Sequence, residues 1–95
     1  MQEALNQAKI AEKLDEVPVG AVIVLNSKII ASGHNLNIKT NSVINHAEII
    51  AINNASKLLK NYRLVNCDLY VTLEPCHMCA KAIVDARIRN LYFAA

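Results

Sequence analysis

His46, Ala47 and Glu48, near the middle of the chain, are followed thirty positions after the histidine by Pro75, Cys76, His77, Met78 and Cys79. Any fold of this sequence has to bring these two groups together if they are to act as one. Joined, they offer one imidazole, two thiols and one free carboxylate. Three protein ligands of that kind can hold a metal ion and leave its fourth position open to water, whereas a structural site is closed by a fourth ligand. Sulfur and nitrogen donors select zinc over magnesium or calcium, which take oxygen. An open zinc site beside an unligated Glu is a hydrolytic site.

Local geometry adds constraints. Cys76 and Cys79 are three apart on an expected helix, so both sulfurs face one side, in a first turn whose dipole favours thiolate. His46 and Glu48 are two apart, about 200° around a regular helix. They converge on one metal only from the opening turn, with the metal just off the helix end. Zinc lowers the pKa of its water toward about 7, and Glu48 then carries the proton, first as base and later as acid. The alternative is a closed site with His34, His77 or Cys67 as fourth ligand. It would leave Glu48 unexplained. His77 is expected to face solvent and Cys67 to be a small buried hydrophobe. Glu74 reads as an acid near a helix N-terminus. His34 and Asn35 follow a strand through Gly33, where loop residues often reach into a site.

Ala4, Ala8, Ala11 and Leu14 recur at helical spacing, with charges on other faces, so the first helix should end before Pro18. Val19 to Leu25 and Lys28 to Ser32 are apolar runs rich in β-branched residues, separated by Asn26 and Ser27, and read as a hairpin. The Asn- and Ser-rich stretch from 35 to 45 reads as a loop into a helix that carries His46 and Glu48 and runs to about Lys60. Asp68 to Leu73 alternates as a strand does, Pro75 can start the next helix at its first position, and Arg89 to Ala94 is a last strand. The order implies an α/β domain, its sheet covered by helices with right-handed crossovers in the later half.

At 95 residues one domain with a modest core is the expectation. A net charge of +2 is too small to mark a nucleic-acid binder by electrostatics. Three cysteines, two of them in Cys-x-x-Cys, argue against a disulfide framework and for a reducing, cytoplasmic setting. No stretch approaches eighteen uninterrupted apolar residues, so neither export nor membrane insertion is expected.

The pairing of His46-Ala47-Glu48 with Pro75-Cys76-His77-Met78-Cys79 resembles the signature of the zinc-dependent cytidine deaminase superfamily. Within it, Glu16-Val17-Pro18-Val19-Gly20-Ala21, Gly33-His34-Asn35, Leu69 through Ala80, and Ala86-Arg87-Ile88-Arg89 with Tyr92-Phe93-Ala94 are similar to the bacterial tRNA-specific adenosine deaminases. The likeness covers nearly the whole chain. It implies a three-layer sandwich around a central mixed sheet, one zinc per chain held by His46, Cys76 and Cys79, and Glu48 as proton shuttle. It further implies hydrolysis of adenosine to inosine at the wobble position of a tRNA anticodon loop, with Asn35, the Ala47 amide and His34 at the substrate, and a homodimer.

The chain also departs from that pattern. Relatives continue past the position of Ala95 into a further strand and helices, so a truncated deaminase domain is expected, with strand 89 to 94 at a sheet edge. Ser42 to Asn45 replaces the usual Asp-Pro-Thr-Ala, and Lys81, Asp85 and Ala94 stand where relatives have Gly, Ser and Gly. Two rival readings remain open. One is a deaminase of a free nucleoside, nucleotide or base, such as cytidine, deoxycytidylate, cytosine or guanine. The other is an inert zinc-stabilised module. Lys57, Lys60 and Arg63 form a small basic group that reads equally as a phosphate contact or a solvated helix end.

Overall fold

Asn26 and Ser27 both adopt left-handed backbone, with φ of 52° and 64°, the pairing that a two-residue type I′ turn requires. They join β1 (Gly20–Leu25) to β2 (Lys28–His34) as an antiparallel hairpin. In the computed structural model, which describes residues 1–95, β3 (Cys67–Val71) pairs antiparallel with the other side of β1, and β4 (Asn90–Phe93) pairs parallel with β3. The sheet order is β2-β1-β3-β4, mixed as expected. Since β2 and β3 both oppose β1, they run parallel to each other. Each parallel step is made through a helix: α3 (Ala47–Leu59) lies between β2 and β3, and α4 (His77–Asp85) between β3 and β4.

Strand alternation sorts the two faces. Ala21, Ile23, Leu69 and Val71, all fully buried, point to one side and cluster with Ala47, Ala51 and Ala55 of α3 and Ile83 of α4. Gly20 and Val22 point to the other side, which α1 (Gln2–Lys13) covers with Ala4, Ala8 and Ala11. The result is the three-layer sandwich: α1, sheet, then α3 and α4. Close approach depends on small residues. A Cβ added at Gly33 would lie 2.6 Å from the Ala47 carbonyl oxygen and 2.7 Å from the Ala51 nitrogen, so α3 rides directly on β2. Gly20 makes the same allowance for the backbone of α1 at Ala4 and Ala8.

Some boundaries move. Residues 35 to 45, expected as plain loop, contain a helical turn, α2 (Asn37–Thr40), closed by Asn41 in the left-handed region. Its opening N–H groups are satisfied from a distance by Glu16, a pairing that short-range pattern cannot reveal. β3 stops at Val71, because Leu73 and Glu74 must leave the sheet to carry Cys76 sideways. Pro75 is not at the first helical position: α4 starts at His77 with Cys76 as its N-cap, held extended at ψ 175°. β4 forms one edge of the sheet, with Tyr92 and Phe93 about half exposed and Tyr92 stacked on Tyr70 at 4.7 Å.

Candidate active site

His46 is the N-cap of α3 and Cys76 the N-cap of α4; both hold extended backbone, and neither makes a side-chain cap hydrogen bond. A side chain at that position projects off the helix end, free for another task. Cys79, in the first turn of α4, is fully buried and faces the same point. His46 Nδ1 lies 3.6 Å from Cys76 Sγ and 3.4 Å from Cys79 Sγ. The three donor atoms fall within 4.8 Å of one another. Zinc bond lengths to nitrogen and sulfur place tetrahedral ligands roughly 3.4–3.8 Å apart, and the two nitrogen–sulfur separations fall in that range. His34, His77 and Cys67 do not join the group. His77 is exposed, and Cys67 is buried in the core among Leu64 and Leu69. The donor set is three, with no fourth protein ligand.

Glu48 follows at the second position of α3 and is only 4% exposed. Burial pushes its carboxyl above the usual range, opposed by a hydrogen bond from its own backbone, the positive charge of His46 and the neighbouring Cys79 thiol. Burial likewise drives the Cys79 thiol far upward, reinforced by the charge of Glu48 and by Cys76. Burial opposes the thiolate that a helix N-terminus favours, and a cation bound at this point would supply the compensating charge.

Ala47 donates its N–H to Asn35 Oδ1 at 2.7 Å, and both residues are buried. Because a backbone N–H can only donate, this bond fixes the Asn35 amide. Its Nδ2 group pairs with no protein atom and is not cut off from solvent, so it points into open space. That space is a cavity of about 230 Å³, lined among others by Asn35, Asn37, His46, Glu48 and Cys76. Asn35 and Ala47 are thus brought together, and the Ala47 amide is occupied. His34 is not brought to this cavity: its Nδ1 lies 3.0 Å from Gln7 Oε1, on the α1 side of the sheet. The remaining walls, Val17, Val19, Leu73 and Glu74, come from chain segments that flank β1 and β3, and neither Val17 nor Asn37 was read from the sequence as a site residue. A larger hollow of about 500 Å³ opens on the other face by Val22, Tyr70 and Arg89; its one carboxylate, Asp68, is paired with Arg89, and no three-donor group lines it.

The family model of the cytidine and deoxycytidylate deaminase zinc-binding region matches residues 1–95, the full chain. The chain belongs to that deaminase family. Within the family it is 54% identical to the tRNA-specific adenosine deaminase of Rickettsia felis, over 100% of this chain and 67% of the relative. Identity is 52% with that of Buchnera aphidicola subsp. Schizaphis graminum and 50% with that of Bacillus subtilis, covering 63% and 59% of them. The chain therefore spans about three fifths to two thirds of the length of these curated relatives. A solved chain from work on A-to-I editing by tRNA:A34 deaminases at the wobble position superposes with a TM-score of 0.96 at 52% identity, over 98% of this chain and 72% of that one. The guanine deaminase of Bacillus subtilis follows at 0.95 and 40%, over 99% and 60%. Zinc is the metal of this deaminase family's domain, and the His46, Cys76 and Cys79 donors suit it.

Proposed function

We propose that this chain is the catalytic domain of a tRNA-specific adenosine deaminase, converting adenosine to inosine and ammonia at the anticodon wobble position. The single observation that carries the reading is a buried, unligated Glu48 in the same cavity as a three-donor zinc site. The names of the curated relatives supply the substrate class. Zinc, held by His46, Cys76 and Cys79, would supply Lewis acidity that makes water acidic enough to react at neutral pH.

The chain's own residues do the rest. Glu48 accepts a proton from the attacking water and passes it to the purine ring nitrogen as the oxygen adds at C6. A second transfer through the same carboxyl reaches the departing amino group, which leaves as ammonia while the oxygen stays as the inosine carbonyl. Burial raises the Glu48 pKa, which favours a group able to hold the proton between the two steps. Asn35 Nδ2 donates to an acceptor on the base. The cavity is small, so the target base must be extruded from its loop, as single-stranded RNA permits at a cost of a few kcal/mol. Val17, Val19 and Leu73 give that base apolar walls to pack against.

The setting we propose is cytoplasmic and homodimeric, with residues 1–95 acting as one domain; no helix of the chain is long and apolar enough to cross a membrane. The likeness to a guanine deaminase favours one second reading, deamination of a free base. Ammonia release separates them. An anticodon stem-loop RNA should be turned over and free adenosine, cytidine and guanine should not; turnover of a free base with inert RNA would reverse the assignment.

A further inference from the structure

Three polar side chains are buried in this protein: Asn35, Glu48 and Glu16. The first two belong to the site already described. Glu16 is only 6% exposed and forms no ion pair. Its oxygens instead accept two backbone N–H groups, Ile38 N to Oε1 at 3.0 Å and Lys39 N to Oε2 at 2.7 Å. Those amides open α2, where helical N–H groups lack internal partners. The α2 N-cap is Leu36, which has no side-chain acceptor, so the carboxylate of Glu16 caps this turn from twenty-odd residues upstream.

We propose that Glu16 is a positioning residue that fastens two walls of the substrate cavity to each other. One wall is Val17 and Val19, immediately after Glu16; the other is Asn35 and Asn37, immediately before and within α2. Besides the two Glu16 bonds, the hydrogen bond recorded between the two segments is Asn35 N to Val19 O at the root of the loop. The loop is closed below by Leu36 N to Asn45 O, so its two ends are Asn35 and the zinc-type residue His46. Releasing Glu16 lets α2 swing about that base. Asn37 then loses its fixed distance from the opposite wall, while Asn35 stays held by Val19 O and the Ala47 amide and His46 stays anchored as the N-cap of α3. The defect falls on holding the base, not on the metal.

This inference rests on the deaminase reading above and is tested in the zinc-loaded protein. Glu16→Gln keeps the shape but sets an amide donor against a backbone N–H. Its KM for an anticodon stem-loop RNA should rise about ten- to a hundredfold, the scale of a lost charge-assisted hydrogen bond. Its kcat should stay within about threefold and its zinc at one per chain. In hydrogen exchange, the Ile38 and Lys39 amides should lose protection in the variant. Ile23→Val, a truncation in the centre of the sheet, controls for general destabilisation and should leave KM unchanged. Unchanged KM in Glu16→Gln, a rise matched by Ile23→Val, or loss of zinc would overturn the assignment. If the unmutated protein makes no inosine, the substrate reading fails instead, and the exchange of Ile38 and Lys39 decides the clamp alone.

Discussion

The two faces of the sheet are built by the same device and used differently. On one face α3 rides over Gly33, and on the other α1 rides over Gly20; each glycine lets helix backbone touch strand backbone. The α3 face, however, ends in two helix N-termini whose caps are His46 and Cys76, with Glu48 and Cys79 in their first turns. The α1 face carries no such cluster. It holds Tyr70 stacked on Tyr92 and the Asp68–Arg89 ion pair, all near the surface. Close helix-to-sheet packing therefore supplies stability on both faces, but chemistry only where helix ends converge.

The largest effect should come from removing a ligand. Cys76→Ala is expected to lose zinc and several kcal/mol of stability together, since metal binding and folding are coupled at such sites. Chelation of the unmutated protein should lower its melting temperature similarly, as read by calorimetry. A substitution on the α1 face with an equal effect on metal content would break the contrast.

The two glycines sharpen it. Gly33→Ala and Gly20→Ala should each cost about 1–3 kcal/mol or more, because the new methyl meets helix backbone that cannot give way cheaply. Only Gly33→Ala moves the helix that begins at His46. Zinc affinity by competition with a chelating dye should fall in Gly33→Ala and hold in Gly20→Ala; equal losses would show that the faces are not independent.

Asn35→Ala comes next. It leaves the Ala47 amide without its partner in a buried place, at a cost of about 1–3 kcal/mol, and removes the Nδ2 donor from the cavity. Urea unfolding should report the first and a raised KM the second.

The smallest effect lies on the α1 face. Hydrogen bonds from Arg89, and then from Asn90, hold the Asp68 carboxyl below the usual range. A carboxyl with its folded pKa depressed contributes stability above its unfolded value of about 3.9 and loses it as pH falls through the folded one. Arg89→Ala should therefore flatten stability against pH below about 4, a small effect because the guanidinium is screened by solvent. Metal content should not respond.

The metal donors were legible because residue type and spacing are local facts: Cys-x-x-Cys, and His46 two before Glu48, force a helix opening at each place. The hairpin was legible through two β-branched apolar runs with the polar pair Asn26 and Ser27 between them; the left-handed backbone of that pair is the structure's addition. What lay hidden was long-range. Glu16 entered only as the first residue of a segment similar to the deaminases, and nothing near it in sequence says that it caps α2. His34 sits beside Asn35, yet strand alternation turns it to the opposite face and to Gln7. Pro75 looked like a first helical residue, but placing the Cys76 sulfur off the helix end required an extended cap instead.

Everything functional depends on Glu48 being next to the metal and not bound to it. Zinc stoichiometry and inosine formation, measured together on Glu48→Ala, test that directly. One zinc per chain with no inosine from an anticodon stem-loop, beside an active unmutated protein, is the expected result. Loss of zinc from the variant, or turnover that survives the substitution, would contradict it.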